Sequence, residues 1–307
     1  MAVSARALVD GFRAIVGAGH ARDDAPAREA AAVDGVIPEV VVAPGSTAEV
    51  ASAIALAAAE GLTIVPRGSG SAMGQGRAPA RADVILDLTR LDRILEYNPD
   101  DLTITLEAGV TAATLDATLA TPRQWLPIDP PGAGTRTLGG LAATNASGPL
   151  RARYGTLRDL LLGVRFVQAD GVATWGGSKV VKSVTGYDVP KLMVGSLGTL
   201  GVLTELTLRL HARPETERTT LIALADARAA QALVTAVLDS PLQPTRFEVF
   251  DATVLGALGA PAGAAAAVGV AIAFGSVQAA VAAQEAELGD RARGVGATTV
   301  AAPPSLW

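Results

Sequence analysis

Three stretches of this 307-residue sequence set glycines and hydroxyl residues where a backbone could approach an anion. The first is Pro66-Arg67-Gly68-Ser69-Gly70-Ser71, continuing to Gly74 and Gly76. The second is Thr137-Leu138-Gly139-Gly140, followed by Asn145, Ser147 and Gly148. The third is Gly198-Thr199-Leu200-Gly201-Val202. Bare backbone N–H groups reach a phosphate without obstruction by Cβ, which makes such loops phosphate holders. The common single-loop versions do not fit. Gly177 and Ser178 interrupt the P-loop spacing between Gly171 and Lys179. The interval from Gly70 to Gly74 is one residue too long for a dinucleotide fingerprint, and the stretch Gly195-Ser196-Leu197-Gly198 is no nucleophile elbow. Each loop alone reads as a tight turn. Their combination describes a cradle for an elongated dinucleotide.

The other reactive residue types narrow the chemistry. There is no cysteine, so disulfides, thiolate catalysis and iron–sulfur ligation are excluded. His20 and His211 are the only histidines, too few for a histidine-based metal site, and no metal is expected. The three lysines, Lys179, Lys182 and Lys191, cluster in one short stretch. They read either as a solvated basic face, or as cations that offset a reduced cofactor or touch a partner. Trp125 and Trp175 read as packing residues, and Arg136, Arg151, Arg153 and Arg158 as surface arginines. No residue declares itself as a catalytic acid, base or nucleophile.

Composition bounds the rest. Half of the residues are hydrophobic and 18% are charged, which excludes a disordered chain. A net charge of −5 argues against nucleic acid as a partner. Residues 1–20 carry Arg6, Asp10 and Arg13 and lack the apolar core of a signal peptide. The uncharged run between Asp251 and Glu285 is rich in Ala and Gly with Pro261 inside it, poor material for a spanning helix. Val268, Val270, Ile272 and Phe274 alternate there with small residues, so a loop and then a buried strand are expected. A soluble, cytoplasmic protein without direct membrane insertion follows as the expectation.

The elements that must position the loops alternate between helix and strand. Residues 1–34 read as a helix and connector. Short strands are expected at Val40–Ala43, Leu62–Pro66, Val84–Leu88, Asp92–Tyr97 and Leu102–Glu107, with helices from Ser46 or Thr47 to Glu60 and over Thr111–Leu119. Further strands fall at Leu161–Gln168 and Val202–Leu210. After Pro214 the order becomes β-α-β-β-α-β: Thr219–Ala223, Ala227–Leu238, Arg246–Phe250, Ala267–Phe274, Val277–Leu288 and Thr298–Ala301. That is the order of a ferredoxin-like unit.

Pro66–Gly76, Thr137–Gly148 and Val180–Glu205 together resemble the motifs of the vanillyl-alcohol-oxidase or PCMH-type FAD-binding superfamily. Within it, LGGLAATNASGPLRARYGTLRDLLLGV and VVKSVTGYDVPKLMVGSLGTLGVLTELTLRLH are similar to the FAD-binding subunits of bacterial glycolate oxidases. The resemblance implies an α+β fold: a two-subdomain FAD-binding domain over residues 35–214 and a ferredoxin-like cap over 215–307. It implies that Pro66, Arg67, Gly68, Ser69, Gly70, Ser71 and Gly74 form the pyrophosphate loop. Thr137, Leu138, Gly139, Gly140, Asn145, Ser147, Gly148 and Gly155 are then flavin-side contacts, and Gly198, Gly201 and Val202 meet the ribityl or adenine part.

Some members of the superfamily link FAD covalently through a histidine in the first loop. Ser71 to Gly76 contains none, so the FAD is expected to be non-covalent. The resemblance further implies a sister FAD-containing subunit that oxidises a 2-hydroxy acid, and an iron–sulfur subunit that carries electrons onward. Two other readings stay open: a self-sufficient oxidoreductase resembling the enolpyruvyl reductase of cell-wall synthesis, and a subunit whose FAD is structural. Such proteins usually close with a Pro-Gly-Arg-like tail. The sequence ends at Pro303-Pro304-Ser305-Leu306-Trp307, so either a reduced cap or a truncated chain is expected.

Overall fold

The computed structural model describes residues 5–179, 186–258, 267–303 and 306–307. The expected roles of Lys182 and the loop around Pro261 lie outside these residues. The chain divides into two compact units. The first comprises residues up to Leu126, Gly132–Ala146 and Thr156–His211; the second takes Pro127–Pro131, Ser147–Gly155 and everything from Ala212.

In the first unit, Val40–Val42 and Ile64–Arg67 both run parallel to Val84–Asp87, and Ala21–Arg22 pairs antiparallel at the edge. Val40, Val41 and Val42 are all buried, as expected of parallel strands covered on both faces. One cover is the helix Thr47–Ala59. Ser46 caps it by accepting from the Glu49 N–H at 3.2 Å, while the Glu49 carboxylate accepts from the Gly45 N–H at 2.8 Å. Val50, Ala53, Ile54 and Ala57 of that helix share a core with Val9, Phe12 and Val16 of the helix Ala5–Val16. Arg67 ends its strand at the carboxyl edge of this parallel pairing, where ligand loops emerge in α/β sheets.

A second, five-stranded antiparallel sheet orders Ile94–Asn98, Thr103–Glu107, Val202–Arg209, Leu161–Val167 and Ala173–Gly177. Between its strands, residues expected to be loop form the helix Leu138–Thr144. Thr137 caps it by accepting from the Gly140 N–H at 3.3 Å. The two glycines hid this helix, because their propensity for it is low.

The second unit carries an antiparallel sheet in the order Arg246–Asp251, Val268–Ser276, Thr216–Leu224, Thr298–Ala301. With the helices Ala227–Leu238 and Gln278–Gly294 this is the ferredoxin-like arrangement expected after Pro214, with a short extra helix, Ala252–Ala257. Ile222, Val270, Ile272 and Phe274 pack against Leu233, Val237, Val281 and Leu288 of those helices. No helix among the described residues is long and apolar enough to cross a membrane.

Candidate functional site

A cavity of about 480 Å³ opens in the first unit, within the range of small-molecule and cofactor sites. Pro66, Arg67, Gly68, Ser69, Gly70 and Ser71 line it, as do Thr137, Gly139, Gly140, Gly198 and Gly201. The three glycine-rich stretches, far apart in sequence, thus meet at one cavity.

Close approach explains two of the glycines. A Cβ on Gly68 would lie 2.1 Å from the Thr137 Oγ1, and a Cβ on Gly139 would lie 2.7 Å from the Ala108 Cβ. The first loop is therefore pressed onto the helix cap, and the helix onto the end of the strand Thr103–Glu107. Any side chain at either position forces the backbone apart.

The amides divide into engaged and open groups. Leu138 N–H donates to the Val110 carbonyl at 2.8 Å, Gly139 N–H to the Ala108 carbonyl at 2.8 Å, and Gly140 N–H to Thr137 Oγ1. The amides of Leu138, Gly139 and Gly140 are thus consumed by the fold, which leaves the Thr137 hydroxyl as the side-chain donor of this segment on the cavity. The backbone N–H groups of Gly68, Ser69, Gly70 and Ser71 donate to no other described residue. Four consecutive open amides on a cavity wall suit the diphosphate of a dinucleotide.

The remaining expected contacts are placed otherwise. Gly74, Leu138, Asn145 and Val202 lie in the first unit but off the cavity lining. Leu138 and Val202 are buried core residues. Asn145 ends the helix Leu138–Thr144 in a left-handed conformation (φ 47°), and its Oδ1 is buried without a hydrogen-bond partner. Ser147, Gly148 and Gly155 belong to the second unit. Gly148 has a structural reason there, since a Cβ would lie 2.1 Å from the Asp129 carbonyl oxygen.

Leu88, Ala108, Met73, Gln75, Arg77, Leu197 and Leu203 also line the cavity and carried no sequence signal, being ordinary residues at strand ends or loop flanks. The ionisable side chains on the described lining are Arg67 and Arg77; Asp, Glu, His, Lys and Tyr do not occur there. The lining is otherwise uncharged, being apolar or hydroxylated apart from the Gln75 carboxamide, so the field inside favours an anion. No carboxylate or imidazole is at hand to move a substrate proton.

The lysine cluster resolves partly into ion pairs. Lys179 bonds Glu96, which holds that carboxyl below its ordinary range, and Lys191 pairs with Asp188 at 3.0 Å. Trp125 is buried, and Trp175 lies under the Arg165 guanidinium at 5.5 Å, both consistent with packing roles. Among the described residues no cluster of His, Cys, Asp or Glu could hold a metal ion.

Residues 38–177 match the FAD binding domain family. The chain is 32% identical over 215 residues to glycolate oxidase subunit GlcD of Bacillus subtilis, an alignment covering 70% of this chain and 46% of that protein. It is 40% identical over 152 residues to glycolate oxidase subunit GlcE of Escherichia coli K12, covering 49% of this chain and 43% of GlcE. In both cases the matched part is less than half the length of the relative. Among solved structures, alkyldihydroxyacetonephosphate synthase superposes with a TM-score of 0.81 at 21% identity, covering 98% of this chain and 61% of that one. The cavity's open amides, its cationic lining and these matches agree: the chain carries an FAD binding domain within residues 38–177, and FAD is its cofactor.

Proposed function

We propose that this chain is the FAD-holding subunit of a glycolate or D-lactate type 2-hydroxy-acid oxidoreductase. In this reading residues 35–214 hold the cofactor and residues 215–307 form a cap. The chain passes electrons between a sister FAD-containing subunit and an iron–sulfur subunit. Sequence identity to GlcD and GlcE supports the substrate class and the multi-subunit setting. A cytoplasmic location, at the membrane surface only through partner subunits, fits this reading.

The observation that carries the proposal is the make-up of the cavity wall: open amides and two arginines, with no proton-active side chain. Bound FAD supplies the electron-accepting chemistry. The chain's own residues bind and orient it: the Gly68–Ser71 amides donate to the diphosphate, and Arg67 and Arg77 offset its charge. Leu88, Ala108, Leu197 and Leu203 form an apolar wall that keeps water from the rest of the ligand. A 2-hydroxy acid needs a base for its hydroxyl proton, and the described lining carries none, which supports assigning that step to a sister subunit. With no cysteine and no histidine in Ser71–Gly76, the cofactor is held without a covalent bond.

The test is anaerobic reduction of the isolated flavoprotein by glycolate, D-lactate and NADPH, then by the reduced sister subunit. Reduction only through the sister subunit is expected. Fast reduction by glycolate or D-lactate alone overturns the relay, and reduction by NADPH points to a self-sufficient reductase. A flavin inert to all of them makes its role structural.

A further inference from the structure

The two arginines of the cavity are held differently. Arg67 is fixed: its Nη1 donates to the Ala30 carbonyl at 3.3 Å, and its Nε is enclosed without a hydrogen-bond partner. The loop folds tightly over it, since a Cβ on Gly70 would lie 3.0 Å from that Nε. Arg77 is exposed, and no hydrogen bond or ion pair joins it to another described residue. The backbone beside it is nonetheless brought to the wall: Gly76 adopts φ +101°, and a Cβ there would touch Leu197 Cδ1 at 3.6 Å. A flexible cation is therefore tethered at the cavity by a constrained turn.

Charge accounting gives that cation a task. A dinucleotide diphosphate carries two negative charges, and no carboxylate on the described lining competes for them. The loop amides contribute only dipoles, and Arg67 contributes one fixed charge. We propose that Arg77 is a specificity-determining residue that closes its guanidinium on the diphosphate of the bound flavin. The site thereby selects a flavin bearing a diphosphate over one bearing a single phosphate or none. A guanidinium suits this role because its fork of donors matches two phosphate oxygens at once. The inference rests on the reading of the cavity as the FAD site and adds to it the residue that discriminates among flavins by their phosphate groups.

The test measures dissociation constants of the apoprotein for FAD, FMN, riboflavin and ADP at low and high salt. It uses the wild type, Arg77→Ala and Arg77→Lys. The Ala variant is expected to lose about ten-fold in affinity for FAD and ADP, about 1.4 kcal/mol. It should lose less for FMN and nothing for riboflavin. The Lys variant falls between, and the loss shrinks at high salt because an exposed cation is screened. An unchanged FAD affinity in Arg77→Ala, or an equal loss for riboflavin, overturns the proposal. Thermal melts of the variants check that the fold is intact. A wild type that binds ADP but no flavin refutes the FAD reading while the ADP values still judge Arg77; a wild type that binds neither refutes both.

Discussion

Arg246 Nε lies 3.3 Å from Asp129 Oδ2, and the two are only 15% and 18% exposed. Arg246 stands on a strand of the second unit's sheet, whereas Asp129 comes from the Pro127–Pro131 excursion more than a hundred residues earlier. The other side of the guanidinium meets Glu217 at 3.1 Å, and Trp307 stacks on it at 5.5 Å. Asp129 also accepts from the Leu150 N–H at 3.0 Å, which ties in the Ser147–Gly155 excursion. One buried arginine thus joins three separate chain segments of the second unit.

Removing that arginine takes the ion-pair partner from two largely enclosed carboxylates. Arg246→Met is expected to destabilise the second unit by about 3–5 kcal/mol, the range for breaking one side of a buried pair. The measurement is chemical denaturation followed by the fluorescence of Trp307. Glu217→Gln, which keeps the shape and leaves Asp129 paired, is expected to cost less.

The same cluster predicts a pH dependence. Burial first of all raises Asp129 and Glu217 above their ordinary values of 3.8 and 4.5, with Arg246 opposing in each case. The unfolded chain therefore gives up these protons at lower pH than the folded one. Their contribution to stability is fully present below the ordinary carboxylate range and is lost as pH rises through the raised values. Melting temperatures of the wild type should accordingly fall, relative to an Asp129→Asn/Glu217→Gln double variant, as pH rises across that window. Parallel curves for the two proteins contradict the assignment.

Gly68 and Thr137 give a paired prediction. Gly68→Ala places a methyl 2.1 Å from Thr137 Oγ1 and is expected to weaken FAD binding by ten-fold or more. Thr137→Ala removes that hydroxyl along with a helix cap worth about 1 kcal/mol. In the double variant, the loss of FAD affinity should be smaller than the sum of the two single losses, a coupling that a double-mutant cycle reads directly.

Non-covalent attachment is checked by acid precipitation. All of the flavin should appear in the supernatant as FAD, leaving a colourless pellet. A yellow pellet contradicts the reading drawn from Ser71–Gly76.

Much of this was legible in the sequence because it depends on local patterning. The β-α-β-β-α-β order after Pro214 follows from patterns such as the period-two strand Val268–Phe274. The convergence of Gly68, Gly139 and Gly198 on one cavity followed from the kind of backbone each stretch requires. What escaped depends on tertiary context. The helix Leu138–Thr144 exists because its first amides find carbonyls on Ala108 and Val110, a pairing no local pattern announces. Arg77 looks like any surface arginine until the turn at Gly76 sets it at the cavity. Asp129 and Arg246 carry no spacing that reveals their meeting.

On the proposed reading, this chain holds FAD in a cavity whose described lining is equipped to bind it but not to deprotonate a 2-hydroxy acid. The most direct measurement is the rate of anaerobic flavin bleaching in the isolated chain mixed with glycolate or D-lactate, compared with the rate when the sister subunit is added. No bleaching within the turnover time of the complex is expected until the sister subunit is present. Bleaching at the complex's own rate by the isolated chain would contradict it.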